Sequence, residues 1–365
     1  MLRKKIAAFT VTALVFALAA CSLGKAPEPT PEPDEREYAY AYAKYAPDTV
    51  VMEINGQPVL WSEYFYWLMD AKAYFEYNYG AVTDFSEILY ETVTIADFMA
   101  GMAEDNLRWA VGLESGQREA GVLPSEEDEL AAQELWEEQV LYAGGEEELL
   151  ALMDSLFLSR EYFDKLNRIS IMYPKGFEQI YGANAEKLSD EDAMAYAENV
   201  GYMQAQHILL KTVDDSYQPL DGEIIAQKAA LANDLLAMIN GAEDKNAKFK
   251  ELRGEYDEDS GQVLYADGYC FTSGAMVPEF EDAVLALEDG GVSAVIETMY
   301  GYHIIMRMPL GPDSVVNINL NTGNIYTLRY SAAYELYMDQ VQRWIDGAMV
   351  EYSPEFQDLD LTTVF

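Results

Sequence analysis

This chain of 365 residues contains only two histidines, and both lie in short apolar runs. His207 lies within residues 204–210, which read QAQHILL, and His303 lies within residues 301–305, which read GYHII. Histidine is the side chain that most often moves protons or orients polar groups near neutral pH. A single histidine in such a run is more often a core residue with hydrogen-bonded ring nitrogens. The similar settings of these two predict that their rings meet in space.

The segments around the histidines alternate between strand and helix patterns. Strands are predicted at residues 203–212, 292–298 and 302–308, and helices at 222–240, at 245–256 and from Pro278 onward. Proline suits the first position of a helix, which fixes the start of the last one. The order β-α-α-α-β-β places the histidines on the first and last strands of one α+β unit, residues 201–310.

The rest of the chain reads as mostly helical. Two short strands surround Asn55 and Gly56, a strong turn dipeptide, and residues 61–200 follow with apolar residues at helical spacing. Ser125 and Ser189 are each followed three residues later by aspartate, the pattern of a helix start. Residues 325–348 form a long amphipathic helix. We expect its apolar face to pack on residues 48–200, because its own segment, residues 311–365, offers no partner.

The N-terminus has the layout of a secretory signal. Three basic residues precede an apolar stretch at residues 6–20, which is too short for a membrane span. The sequence then reads Leu-Ala-Ala-Cys, which resembles a bacterial lipobox and implies cleavage of a signal peptide, residues 1–20, and lipid attachment to Cys21. Residues 21–47 are rich in proline and glutamate and predict a tether. Four tyrosines between residues 38 and 45 are unusual in a tether. They could pack either on the folded body or on the membrane surface, and the sequence does not distinguish between these alternatives.

The composition excludes several classes of function. With 64 acidic against 23 basic residues, the formal charge is -41, which excludes a nucleic-acid binder with a basic footprint. The sequence has no zinc-ligand spacing, glycine-rich phosphate loop or paired CxxC cysteines, so we predict neither a metal nor a cofactor. Cys270 is left without a disulfide partner if Cys21 carries lipid, and we interpret it as a packing residue.

Three blocks in the second half of the chain resemble parvulin-type peptidyl-prolyl isomerases when taken together and in order. They are residues 206–209 (QHIL), residues 271–283 (FTSGAMVPEFEDA) and residues 298–305 (TMYGYHII). The turn at residues 51–60 with its following helix resembles the opening of the chaperone domain in PrsA-like and SurA-like foldases. The lipobox favours the PrsA-like group.

This resemblance implies both a fold and a site. The fold would be a parvulin-like antiparallel sheet with surrounding helices, residues 201–310, inserted into a mostly helical chaperone domain of residues 48–200 and the C-terminal helix. His207 and His303 would pair in the floor of the site, and Thr298 would hydrogen-bond into that pair. Asp259 stands where the family carries cysteine or aspartate. The proline pocket would consist of Phe271, Met276 and Phe280, which would otherwise be read as ordinary core residues.

The implied function is that of an extracytoplasmic foldase that isomerises Xaa-Pro bonds. Its partners would be unfolded or partly folded secreted proteins, and the lipid on Cys21 would hold it to the cell membrane of a Gram-positive-type envelope. The oligomeric state stays open, with a homodimer among the candidates. Residues 211–216 carry one base against two acids, which disfavours recognition of phosphate before proline.

The alternative function is a non-catalytic holdase that uses the parvulin fold as a binding platform. This alternative rests on Gly268. The family often has a Gly-Asp-Leu-Gly-like segment before the phenylalanine of the central block, and Gly268 stands where its leucine would border the pocket.

Overall fold

The computed structural model describes residues 38–357 and 359–364, and the chain divides into two compact units. Among the described residues, the first unit takes in residues 38–180 and those from Tyr337 onward, and the second is Tyr181–Leu336. These bounds are wider than the predicted 201–310, because the second unit also holds a helix before residue 201 and a hairpin after residue 310. No helix in the described ranges is both long enough and apolar enough to cross a bilayer.

The first unit consists mainly of helices. Its elements are α1 (Ala39–Tyr42), β1 (Val50–Ile54), β2 (Gln57–Leu60), α2 (Trp61–Tyr79), β3 (Ile88–Tyr90), β4 (Val93–Thr94), α3 (Ile95–Glu119), α4 (Glu126–Ala143), α5 (Glu146–Ser155), α6 (Arg160–Tyr181), the end of α11 (Leu328–Asp346), and β11 (Val350–Tyr352). Helix α4 begins at Ser125, whose backbone N–H donates to Asp128 at 2.8 Å, as the capping pattern predicts.

A three-stranded antiparallel sheet with the order β11-β1-β2 joins distant parts of the first unit. Asn55 and Gly56 connect β1 to β2 with φ angles of 52° and 70°, the left-handed geometry of a tight hairpin turn. The other neighbour of β1 is β11, with Met52 opposite Tyr352. The C-terminal end of the chain therefore completes a sheet that begins at Val50.

Aromatic side chains attach the segment before β1 to the first unit. The ring of Tyr42 lies 5.1 Å from that of Phe65, and the ring of Tyr45 lies 5.1 Å from that of Trp61. The indole N–H of Trp61 donates to the carbonyl of Tyr42 at 2.8 Å. The end of the predicted tether, residues 21–47, is thus packed on the first unit, because burial of these rings outweighs the flexibility of the segment.

The end of helix α11 packs within the first unit. The hydroxyl of Tyr337 donates to the carbonyl of Tyr173 in α6 at 2.7 Å, and the ring of Trp344 covers Gly116 in α3. The helix starts later than the predicted residue 325, because residues 325–327 form a strand instead.

The second unit contains a four-stranded antiparallel sheet with the order β6-β5-β8-β7. Its elements are α7 (Asp190–Val200), β5 (Met203–Lys211), α8 (Gly222–Gly241), α9 (Lys245–Tyr256), a 3₁₀ turn at Ser260–Val263, β6 (Tyr269–Phe271), α10 (Pro278–Leu285), β7 (Val292–Thr298), β8 (Gly301–Met308), β9 (Val315–Ile318), β10 (Ile325–Thr327) and the start of α11. The observed α+β class agrees with the prediction.

Opposite faces of this sheet carry two separate cores. On one face, Ile208 and Ile304 pack with Leu235 of α8 and Phe249 of α9. On the other, six side chains form a smaller core against α10, namely Met203, Ala205, Phe271, Phe280, Val284 and Ile305. Because side chains alternate along a strand, β5 and β8 contribute to both cores. The face toward α10 is also the face that carries the histidines.

Candidate active site

The two histidines lie side by side on the central strands. His207 in β5 is opposite Ile305 in β8, and His303 is opposite Leu209. Residues two apart on a strand share a face, so both imidazoles point to the same side. Their ring centroids are 5.2 Å apart, with an angle of 72° between the ring planes. The sheet register alone brings together side chains that are far apart in sequence.

Asp259 completes a polar group with His207. One carboxylate oxygen, Oδ2, is 3.0 Å from Nε2 of His207 and accepts the phenolic proton of Tyr269 at 2.6 Å. The other, Oδ1, accepts from the backbone N–H of Gly261 at 2.9 Å. Burial opposes ionisation of Asp259, but the hydrogen bonds from His207, Tyr269 and Gly261 outweigh it and hold the pKa well below its usual range. The site therefore contains a fixed negative charge.

Backbone contacts set the position of Asp259. The N–H of Glu258 donates to the carbonyl of Leu209 at 2.9 Å, and the N–H of Leu209 donates to the carboxylate of Asp257 at 2.9 Å. The same oxygen of Asp257 accepts from the N–H of Asp259 at 3.1 Å. The loop after α9 is thus anchored to β5 two residues past His207.

Thr298 holds the other histidine. Its hydroxyl oxygen is 2.8 Å from Nε2 of His303 and accepts from the N–H of Tyr300 at 3.1 Å. Burial, and secondarily the nearby His207, lowers the pKa of His303 to about 3. The imidazole of His303 is therefore neutral at physiological pH. The Thr298 hydroxyl, already an acceptor for Tyr300, is placed to donate its proton to Nε2 of His303.

These bonds assign complementary tautomers to the two rings. An ionised Asp259 can only accept, so Nε2 of His207 carries a proton. Nε2 of His303 accepts from Thr298, so the proton of its neutral ring is on Nδ1. Both Nδ1 atoms are buried and have no hydrogen-bond partner within the described residues. Nδ1 of His303 thus presents an N–H donor that no described residue accepts.

Stability of the second unit is expected to depend on pH through His303. The pKa of its ring is about 3 in the folded protein against 6.5 for an ordinary histidine, so the unfolded chain binds the extra proton first as pH falls. The contribution of His303 to the free energy of unfolding is therefore complete above pH 6.5. Below that pH it decreases by up to about 1.4 kcal/mol per pH unit. Hydrogen exchange of β5 and β8 amides between pH 7 and 4.5 measures this slope. His303→Gln should flatten it, and equal slopes in both proteins would contradict the assignment.

Apolar side chains adjoin the histidines and line a cavity of about 390 Å³ together with them. The ring of Phe280 lies 5.5 Å from that of His207 and 5.8 Å from that of His303, with Met276 and Val277 beside it. Proline at position 278 starts α10 and so fixes Phe280 in its first turn. A cavity of this volume is at the small end for ligand sites and accepts one ring and part of its neighbours.

The structure brings most of the predicted site residues to this cavity. His207, Asp259, Met276, Phe280 and His303 line it, while Thr298 stands behind His303. Phe271 does not reach the cavity, because it lies in the core with its ring 6.0 Å from that of Phe280. Its position supports the aromatic wall from behind. Cys21 lies outside the described residues.

Two residues of the site escape prediction from the sequence. Tyr269 lines the cavity and donates a hydrogen bond to Asp259. Its position two residues before Phe271, on the same face of a short strand, is the sequence signal that could have identified it. Glu281 accepts from the N–H groups of Gly274 and Met276, each at 2.8 Å. It fixes the loop that carries Met276, and no pattern in the sequence distinguishes it from a solvated acid.

Gly268 has a structural reason that the sequence comparison does not reveal. Its φ angle is 100°, and a Cβ atom there would lie 2.6 Å from the carbonyl oxygen of Ala205. Only glycine tolerates both conditions. Gly268 therefore lets the chain approach β5 closely just before β6, and a leucine in its place would not fit. The backbone alone thus gives a reason for glycine at position 268.

Comparison with known proteins agrees with this geometry. The PPIC-type PPIase domain family matches residues 189–307. Chaperone SurA of Thiobacillus denitrificans is 29% identical over 173 residues, covering 47% of this chain and 37% of SurA. Foldase protein PrsA of Oceanobacillus iheyensis is 33% identical over 138 residues, covering 37% of this chain and 39% of PrsA. The chain thus matches well under two thirds of the length of these two relatives.

Among solved structures, PrsA from Bacillus subtilis is 19% identical, covering 77% of this chain and 98% of that chain with a TM-score of 0.26. The family match extends over both histidines, the cavity and the four-stranded sheet. Residues 189–307 therefore match the PPIC-type PPIase domain family, in a chain similar in sequence to PrsA foldases and SurA chaperones.

Proposed function

We propose that the second unit catalyses the cis-trans isomerisation of Xaa-Pro bonds. The observation that carries this proposal is the pairing of surfaces in one cavity. Phe280 and Met276 form an apolar wall, and the His207, His303 and Asp259 group forms a polar floor next to it. The match of residues 189–307 to PPIC-type domains supports the same reaction.

The chemistry of this reaction needs no nucleophile. The peptide bond rotates over a barrier of roughly 18–20 kcal/mol because its conjugation is lost at the twisted state. No covalent bond forms or breaks, so catalysis requires tighter binding of the twisted amide than of either planar form. Phe280 would hold the ring, and the polar floor would favour the charge distribution of the twisted amide. His207 and His303 act in this proposal as fixed dipoles, not as acid or base.

A peptide assay with the full chain tests this proposal. Isomerisation of a short Ala-Pro peptide is followed by exchange NMR or by coupled proteolysis of the trans form. Uncatalysed isomerisation takes on the order of tens to hundreds of seconds, so even modest catalysis is measurable. We expect the rate to rise in proportion to protein concentration. A rate equal to that in buffer at the highest attainable concentration would contradict the catalytic role.

For the whole chain, we propose a lipid-anchored extracytoplasmic foldase that acts on secreted proteins. Its support is the lipobox-like sequence ending at Cys21 and the similarity to proteins named PrsA foldase. Unfolded chains rich in Xaa-Pro bonds would be its clients. Cys21→Ala tests the anchor, since it should release the protein from the membrane fraction of the producing cell. Unchanged fractionation would exclude lipid on Cys21 as the anchor.

A second candidate, holdase activity, is favoured by exposed apolar side chains on the first unit. Tyr77 at the end of α2 is 91% exposed, and Ile88 and Tyr90 of β3 are 61% and 52% exposed. Such side chains offer contacts to unfolded chains. Suppression of client aggregation by a full chain with the substitution Phe280→Ala would assign chaperoning to surfaces other than the cavity. Loss of suppression in that variant would assign it to the cavity.

A further inference from the structure

The mouth of the cavity is formed by the loop between β5 and α8. Four residues of this loop line the cavity, namely Val213, Asp214, Asp215 and Tyr217, together with Lys211 at the end of β5. Val213 pairs with Pro219, and the N–H of Leu220 donates to the carbonyl of Thr212 at 2.9 Å. The loop is therefore a closed turn with a fixed position at the rim, and its side chains meet whatever flanks a bound proline.

Asp214 stabilises this turn. Its Oδ1 atom accepts from the backbone N–H groups of Ser216 and Gln218, at 2.8 and 2.9 Å. Two amide donors partly satisfy its charge. The carboxylate of Asp214 is thus occupied in holding the conformation of the loop.

The carboxylate of Asp215 has no such structural role among the described residues. It is exposed at the cavity mouth, and no hydrogen bond or ion pair to its carboxylate is found among the described residues. Tyr217 beside it has a φ angle of 58° and a ring 6.1 Å from that of Tyr300. A carboxylate without a partner and an exposed aromatic ring both attract a cation, so this site favours a lysine or arginine side chain.

The remaining charges of the cavity lining also favour a cation. Lys211 is the one lysine or arginine in this lining, against the three aspartates Asp214, Asp215 and Asp259. Asp259 adds the fixed negative charge of the floor. Acidic groups thus outnumber basic ones around the cavity, in a chain of formal charge -41 that repels acidic segments at long range.

We propose that this loop selects Xaa-Pro bonds flanked by lysine or arginine, with Asp215 pairing with the cationic side chain. The inference rests on the proposed isomerase function and names its preferred substrates. With the apolar wall holding the proline ring, an adjacent side chain reaches the rim where Asp215 lies. Secreted chains with basic residues next to proline are then the best substrates of this site.

The test uses the full chain with Ala-Arg-Pro-Phe, Ala-Ala-Pro-Phe and Ala-Glu-Pro-Phe peptides. We expect kcat/KM to be about tenfold higher for the arginine than for the glutamate peptide, as for an exposed ion pair and its like-charge counterpart. Asp215→Asn should reduce this ratio to about twofold, and Asp215→Lys should invert it. The matched control is Asp234→Asn on the exposed side of α8, which should keep the wild-type ratio. Salt at 0.5 M should reduce the wild-type ratio.

Peptide binding, measured by fluorescence polarisation on the same variants, separates this inference from the proposed function. Catalysis with equal rates for the arginine and glutamate peptides would refute the preference and leave the isomerase intact. Tighter binding of the arginine peptide that Asp215→Asn abolishes, without catalysis, would support the preference and refute the isomerase. Absence of both binding and catalysis would refute both.

Discussion

Replacing Phe280 with alanine is expected to lower kcat/KM for an Ala-Pro peptide by about 100-fold. That factor corresponds to about 2.7 kcal/mol, which is close to the value of burying one aromatic side chain against a ligand. Phe280 is the aromatic side chain that contacts both histidine rings and the cavity. Its loss removes the wall that would hold the proline ring while the bond turns. The isomerisation assay on purified variants measures the effect.

Val284→Ala provides the matched control. Val284 lies one turn further along α10 in the same core, is fully buried, and does not line the cavity. Phe280→Ala should cost about 3–5 kcal/mol of stability and Val284→Ala less, because it removes fewer atoms, but only Phe280→Ala should lose activity. Phe280→Leu, which keeps more volume, should fall between wild type and alanine. Equal activity losses in Phe280→Ala and Val284→Ala would mean that Phe280 acts only through the fold.

A single methyl group at position 116 is expected to destabilise the first unit by about 2 kcal/mol. Gly116 lies in α3 under the indole of Trp344, and a Cβ atom there would lie 2.1 Å from its ring. Atoms next to the backbone of Trp344 cannot move away without displacing α11, and such overpacking costs about 1–3 kcal/mol. Denaturant unfolding followed by tryptophan fluorescence measures the change. All five tryptophans belong to the first unit, namely Trp61, Trp67, Trp109, Trp136 and Trp344.

The same substitution elsewhere in α3 should act in the opposite direction. Gly101 is exposed, and no atom lies within 4 Å of the place where its Cβ would stand. Gly101→Ala should therefore stabilise the helix by about 0.5–1 kcal/mol through backbone entropy alone. If Gly116→Ala stabilised the protein as well, the packing of Trp344 on α3 would be wrong.

Long periodic elements of this fold were predictable because their own side chains encode them. Helix α8 was expected at residues 222–240 and runs from Gly222 to Gly241, and β7 was expected at residues 292–298 and spans Val292–Thr298. Their apolar spacing is strong over many residues. The same reasoning placed His207 and His303 on the first and last strands of one unit, and the sheet order then shows these strands to be neighbours.

Short elements that depend on a distant partner were not predictable. Strand β6 has three residues, Tyr269–Phe271, and exists because β5 pairs with it. Missing β6 meant missing Tyr269 as the partner of Asp259. Strand β11 at Val350–Tyr352 likewise has no local sequence pattern, because it forms through its pairing with β1.

Gly268 shows that a glycine can be required by the backbone for a reason that the sequence does not display. It stands where the family often carries a leucine at the border of the pocket. The structure shows a backbone constraint at that position, where the carbonyl of Ala205 leaves no room for a Cβ atom. Such close approaches between strands involve no side chain and leave no trace in composition or periodicity.

The pairing of β1 with β11 has a consequence for synthesis. A chain made from its N-terminus presents Val50–Ile54 long before Val350–Tyr352 exists, and until then one edge of β1 lacks its neighbour. The second unit is contiguous from Tyr181 to Leu336, so it holds all of its sequence before β11 emerges. An unpaired strand edge is a template for joining other chains. The growing polypeptide thus exposes a strand edge that can pair with other chains until Val350–Tyr352 pairs with it.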